Sequence, residues 1–184
     1  GSFGPHFAAW LSSKGYSFPD GGFGGYRTNV APAVVKPVVI FVHGNSSRAQ
    51  GGGSDTDGWY NTYQLLRNNG WNNSELYAVN YGYESALMSG YNDHSSTNIT
   101  RIKNFINAVY AYVGSKQVTV IAHSLGVTVT RKAMKDGNLY SKIKTFVGIA
   151  GGNKGLPTCG MVTSYWTYVQ LAYTPTCSAS TGFL

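Results

Sequence analysis

The residues best suited to chemistry are Ala122-His123-Ser124-Leu125-Gly126. A short apolar run, 118–122, precedes them, and a segment of helical character, 127–135, follows. A strand, a small-x-Ser-x-Gly turn and a helix together make a nucleophile elbow. The turn is tight enough to strain the backbone of the serine. Small residues two before and two after it let strand and helix approach each other. Ala122 and Gly126 fill those places, although Gly is the commoner residue at the first. Such a bend thrusts the Ser124 hydroxyl outward and aims the N–H of Leu125 at the same spot. The chemistry implied is acyl transfer through a serine. The bland alternative is an ordinary strand-to-helix turn with a small residue at its bend.

A second group of residues lies upstream. Pro37 to Val42 is an almost continuous apolar run ending in His43-Gly44-Asn45, which suits a strand buried on both faces. Gly44 permits a turn at the strand end. The N–H of Asn45 is expected to be the second donor of an oxyanion hole, beside that of Leu125. His43 is expected to be a structural histidine bonding the backbone of this loop, because a triad histidine follows the serine in such a chain order.

The base is the gap. From Leu125 to Leu184 there is one acidic residue, Asp136, and no histidine; His6, His43, His94 and His123 all precede or adjoin the serine. Lys135-Asp136-Gly137 reads as a helix stop on the wrong side of the sheet. A serine hydroxyl is a poor nucleophile without a base to take its proton. The expectation is an incomplete N-terminal portion of a longer enzyme. The C-terminal strands, the base and its orienter would then lie in further residues or in a separate C-terminal fragment. The rival is a non-catalytic lipid- or partner-binding module that keeps the elbow for shape.

These residues need a scaffold, and the pattern supplies one. A short helix is expected within 5–16, then a Gly-rich link at 21–25 and a strand at 37–43. Residues 46–57 form a Gly-, Ser- and Asp-rich loop, a candidate mobile rim. A helix is expected over 59–68 with Gly70 as its stop, and a strand over 75–81. After a polar loop at 82–96, Ile99, Ile102, Phe105, Ile106, Val109 and Val113 form an apolar stripe, with Thr97 as candidate N-cap and Gly114 as stop. Strand 117–122, the elbow helix and strand 144–150 complete the alternation. Strands alternating with helices predict an α/β fold, a parallel sheet with helices on both faces. His43-Gly44 and Ser124 then fall together at the carboxyl ends of strands, where such sheets place their sites.

Composition narrows the class. The 184 residues are one domain in size (1–184), and 42% hydrophobic residues are enough for a core. No apolar run approaches the ~18 residues of a membrane span. Only 11% of residues are charged, a balance common outside the cell. The formal charge of +7 is scattered beyond Arg131-Lys132 and Lys142/Lys144, so nucleic-acid binding is unsupported. A solvated surface is the plain reading, and attraction to an anionic lipid interface the sharper one. Cys159 and Cys177 fall in an aperiodic segment, 156–184, read as an insertion or lid-like piece. A disulfide between them is expected, implying an oxidising compartment. Neither has a neighbouring histidine, so no metal site is expected. Tyr165, Trp166, Tyr168 and Tyr173 in that segment are read as packing or as an acyl-contact surface. Sequons at Asn45, Asn72 and Asn98 agree weakly with secretion.

Four ordered segments carry a family resemblance: Phe41-Val42-His43-Gly44-Asn45, Tyr91-Asn92-Asp93-His94-Ser95-Ser96-Thr97, Val120 through Thr128, and Gly148 through Leu156. Together they resemble the class 2 lipase family of the α/β-hydrolase superfamily, in particular its nematode-type secreted lipases. They are also similar to extracellular polyhydroxybutyrate depolymerases. The resemblance runs from about residue 5 to 184. It implies a secreted, extracellular carboxylic-ester hydrolase acting on a lipid ester or polyester, without cofactors. Ser124 would be its nucleophile and the N–H groups of Asn45 and Leu125 its oxyanion donors. His43, Gly44, Ala122, His123 and Gly126 would shape the elbow and loop. The family's Asp and His lie in a C-terminal part without a counterpart here.

Overall fold

The computed structural model describes residues 2–25, 34–51, 58–85, 88 and 92–153. Cys159, Cys177, Tyr165, Trp166, Tyr168, Tyr173 and residues 52–57 of the expected rim loop lie outside them.

The chain runs α1 (Pro5–Ser13), β1 (Gly22–Phe23), β2 (Val39–Val42), α2 (Tyr60–Asn68), β3 (Leu76–Val79), α3 (Ser96–Tyr112), β4 (Val118–His123), α4 (Leu125–Gly137) and β5 (Ile143–Ile149). The strands form one sheet in the order β1-β3-β2-β4-β5. β3, β2, β4 and β5 are parallel, and Val42 pairs with Ala122 at the ends that matter for the site. This is the parallel sheet that the alternation predicted and the α/β-hydrolase-like one that the resemblance implied.

Alternation within β2 sends its side chains to two cores. Ile40 and Val42 join Tyr77, Val79, Val120 and the apolar faces of α1, α3 and α4. Val39 and Phe41 turn the other way, toward Trp59, Leu76 and the inner side of α2. Helices therefore cover both faces. Both faces of β2 are buried, which is why its sequence is an unbroken apolar run rather than an alternating one.

Two local expectations are corrected. Part of the Gly-rich link is a strand: Gly22 and Phe23 pair antiparallel with Val79 and Ala78 at the sheet edge. Gly22 is required there because a β-carbon would run into the Ala78 carbonyl oxygen. The cap of α3 is Ser95, not Thr97. Ser95 Oγ accepts from Asn98 N–H at 3.4 Å, and Asp93 Oδ1 accepts from Ser95 N–H at 3.0 Å. Asn98 itself is buried, with Nδ2 donating to the Asp93 carbonyl, so that sequon is not open to a glycan.

Candidate active site

β4 delivers the chain to Ser124, and α4 takes it away at once. Ser124 has φ 53° and ψ −125°, a conformation that side chains rarely adopt. Two bonds hold it. Its N–H donates to the Ile149 carbonyl of β5 at 2.9 Å, and its carbonyl accepts from Val127 N–H at 3.0 Å as the first turn of α4. Two more residues with positive φ, Ser46 at 53° and Ala150 at 50°, lie just past the ends of β2 and β5. Three positive-φ residues thus lie beyond the carboxyl ends of β2, β4 and β5, Ser124 among them.

Gly126 explains how strand and helix come so close. A β-carbon there would overlap the carbonyl oxygen of His43 and lie 3.0 Å from that of Val42. The His43-Gly44-Asn45 loop therefore rests directly on the first turn of α4. From its other side, a β-carbon at Gly44 would meet the Ser124 β-carbon and His123 Nδ1, each at 3.0 Å. The structure brings the two predicted halves of the site into contact. Ser124 is half-buried, His123 exposed, and Ala122 and Gly126 buried.

His43 is buried and faces inward. Its Nε2 accepts the Tyr81 N–H at 3.2 Å, so the ring hydrogen sits on Nδ1 and is donated to the Gly44 carbonyl at 2.8 Å. Tyr81 also donates its hydroxyl to the His43 carbonyl at 2.9 Å, and the two rings stack with centroids 4.5 Å apart. Burial pulls the His43 pKa from 6.5 down to about 4, only partly countered by the Gly44 bond. The imidazole is neutral and fully engaged in shaping the loop.

The other histidines are placed elsewhere. His6 Nδ1 meets Tyr112 Oη at 2.8 Å, between α1 and α3. His94 Nε2 donates to Thr128 Oγ1 at 2.7 Å, and that hydroxyl donates to the Leu125 carbonyl at 3.0 Å. Asp136 pairs with Lys132 one turn earlier on α4. Among the described residues no histidine is bonded to the Ser124 hydroxyl, and no cluster of ligands suits a metal.

Sequence reasoning did not find Tyr81 or the role of Asn92. Asn92 is buried, and its Nδ2 donates to Asn45 Oδ1 at 2.6 Å. Its only signal was membership of the segment 91–97. Beside the elbow a cavity of about 240 Å³ is lined by His43, Gly44, Trp59, Thr62, His123 and Ile149. Three larger hollows, of about 370, 460 and 360 Å³, lie against α2 and the start of α3 and touch neither Ser124 nor Gly44. The smaller cavity is the one lined by Gly44 and His123, the residues that flank Ser124.

Comparisons with known proteins agree with this geometry. The family model described as Lipase (class 2) matches residues 36–184. Among solved structures, the mature lipase BlEst2 of Bacillus licheniformis superimposes with a TM-score of 0.55 at 19% identity, over 82% of this chain and 55% of that one. Lipase B of Aspergillus fumigatus gives 0.51 at 20% identity, over 81% and 35%. Phospholipase PlaB of Legionella pneumophila gives 0.50 at 18% identity, over 78% and 31%. The chain spans about half the length of the first of these and about a third of the other two. At these identities the likeness is one of fold. No curated protein matches.

Proposed function

This chain belongs to the class 2 lipase family, and on that premise we propose that it is the nucleophile-bearing part of a secreted lipolytic ester hydrolase. The observation that carries the reading is the strained Ser124 backbone at the head of α4, with Gly44 packed against it. Strain of this kind is retained where a function needs the residue so presented.

The reaction is two-step acyl transfer. Ser124 Oγ attacks the ester carbonyl and gives its proton to a general base. The developing oxyanion is received by the N–H groups of Leu125 and Asn45. The C–O bond to the alcohol then breaks and the base returns the proton to the departing oxygen. Water, deprotonated by the same base, releases the acid and regenerates the hydroxyl. One well-placed oxyanion donor lowers the barrier by ~3 kcal/mol. The N-terminus of the 13-residue helix α4 adds a favourable field for the negative charge.

In the full-length protein, Ser124→Ala is expected to abolish release of fatty acid from triacylglycerol emulsions and labelling by a fluorophosphonate. Retained turnover removes the assignment. Release of hydroxybutyrate from polymer granules, with no action on triacylglycerol, would redirect the reading to a polyester depolymerase.

A further inference from the structure

Resting on that hydrolase reading, we infer that Asn92 is a positioning residue that holds the oxyanion loop in its working shape through the side chain of Asn45. The Asn92 amide is 2% exposed and makes three bonds. Its Oδ1 accepts the Tyr83 N–H at 2.5 Å, and its Nδ2 donates to the Tyr83 carbonyl at 2.8 Å and to Asn45 Oδ1 at 2.6 Å. The two backbone bonds fix the amide's orientation. Oδ1 must face an N–H and Nδ2 must face a carbonyl, so the group cannot turn over without breaking both. What remains is one Nδ2 hydrogen, and it points at Asn45. Ser46 Oγ reaches the same Asn45 oxygen only at 3.4 Å.

The backbone is shaped around this amide. Gly82 has φ +66°, and a β-carbon there would run into Asn92 Oδ1. The same segment begins with Tyr81, whose N–H and hydroxyl hold His43. Residues 81 and 92 therefore grip the loop at its two ends, His43 and Asn45. Its middle, Gly44, is pressed against Ser124. An oxyanion donor works by being in place before charge develops, so a loop carrying one needs its freedom removed. Asn92 removes it at the residue whose N–H is the proposed donor, across 47 positions of sequence.

The test uses the full-length protein and a soluble short-chain ester. Asn92→Ala and Asn45→Ala are each expected to lower kcat by roughly 10- to 100-fold with KM held within about twofold, because a slackened donor is lost from the transition state and not from substrate binding. The double variant is expected to be no slower than the slower single variant, since either single variant already breaks the bond that the two side chains share. Asn45→Ala keeps the backbone N–H and both Tyr83 bonds, so it decides the matter alone if Asn92→Ala does not fold. Wild-type kcat in Asn45→Ala, a raised KM with kcat kept, or a double variant as slow as the product of the singles overturns the positioning role. Turnover that survives Ser124→Ala overturns the hydrolase reading instead, and the positioning role with it.

Discussion

The α-carbon of Gly126 faces the carbonyl oxygen of His43 with no room between them for a side chain. One residue thus sets the distance between the helix that follows Ser124 and the loop proposed to share its oxyanion site. The small-x-Ser-x-Gly pattern needs its last glycine for that approach, in addition to any demand of the turn itself.

Gly126→Ala is accordingly expected to destabilise the protein by about 1–3 kcal/mol, the usual cost of overpacking where the obstacle is backbone. In a chain of this size that is a fall in Tm of roughly 3–10 °C. Ester hydrolysis should fall as well, because the added methyl displaces the loop at His43. Thermal unfolding and initial rates check both. An unchanged Tm with unchanged rate would mean that the loop and helix are not in contact.

The strain at Ser124 gives a second prediction, separable from chemistry. Glycine adopts φ 53° without penalty, whereas alanine bears the same β-carbon as serine. Ser124→Gly and Ser124→Ala should both be inactive, but the glycine variant should be the more stable by on the order of 1 kcal/mol. Equal urea midpoints for the two would show that the bend is relaxed.

Glu75 is fully buried, yet its carboxylate is satisfied entirely by backbone. Oε1 accepts the N–H groups of Val35 and Lys36, each at 2.7 Å, and Oε2 accepts that of Asn72 at 2.8 Å. It ties the entry to β2 to the turn before β3. Glu75→Gln turns an NH₂ group toward N–H donors on at least one side, leaving buried donors unpaired. The expected loss is about 2–4 kcal/mol in urea unfolding, with little change in KM for an active preparation. A loss below ~0.5 kcal/mol would show that water replaces these bonds.

What the sequence disclosed follows the range of the interactions. Ala122, Ser124 and Gly126 act within five residues, and the apolar runs of β2 and β4 reflect burial on neighbouring faces, so elbow and strands were legible. Two-residue β1 carries no period at all, and its Gly22 reads as a linker because its constraint is a carbonyl on β3. The cap of α3 was misread because Ser95, Ser96 and Thr97 are all good caps, and only the Asp93 and Asn98 bonds choose between them. Glu75 reads as the start of a strand, since nothing nearby announces a buried carboxylate. The Tyr81–His43 and Asn92–Asn45 bonds span 38 and 47 residues, and no local pattern encodes them.

His43 makes stability depend on pH in a defined window. Removal of its imidazole from water favours the neutral form and lowers its pKa from 6.5 to about 4. The unfolded chain therefore takes up a proton near pH 6.5, whereas the folded protein resists until about 4. Between those values the unfolded state binds more protons, so stability rises with pH across the window. The contribution is fully present above pH 6.5, is lost as pH falls toward 4, and changes no further below that. Its size is on the order of 3 kcal/mol. Urea unfolding of wild type and His43→Gln at pH 7, 5.5 and 4 isolates it, because glutamine does not titrate and other groups cancel in the difference. Wild type should lead the variant at pH 7 and lose that lead progressively by pH 4. A difference that stays constant across the three pH values would mean that the ring is hydrated, and the loop it shapes open to water.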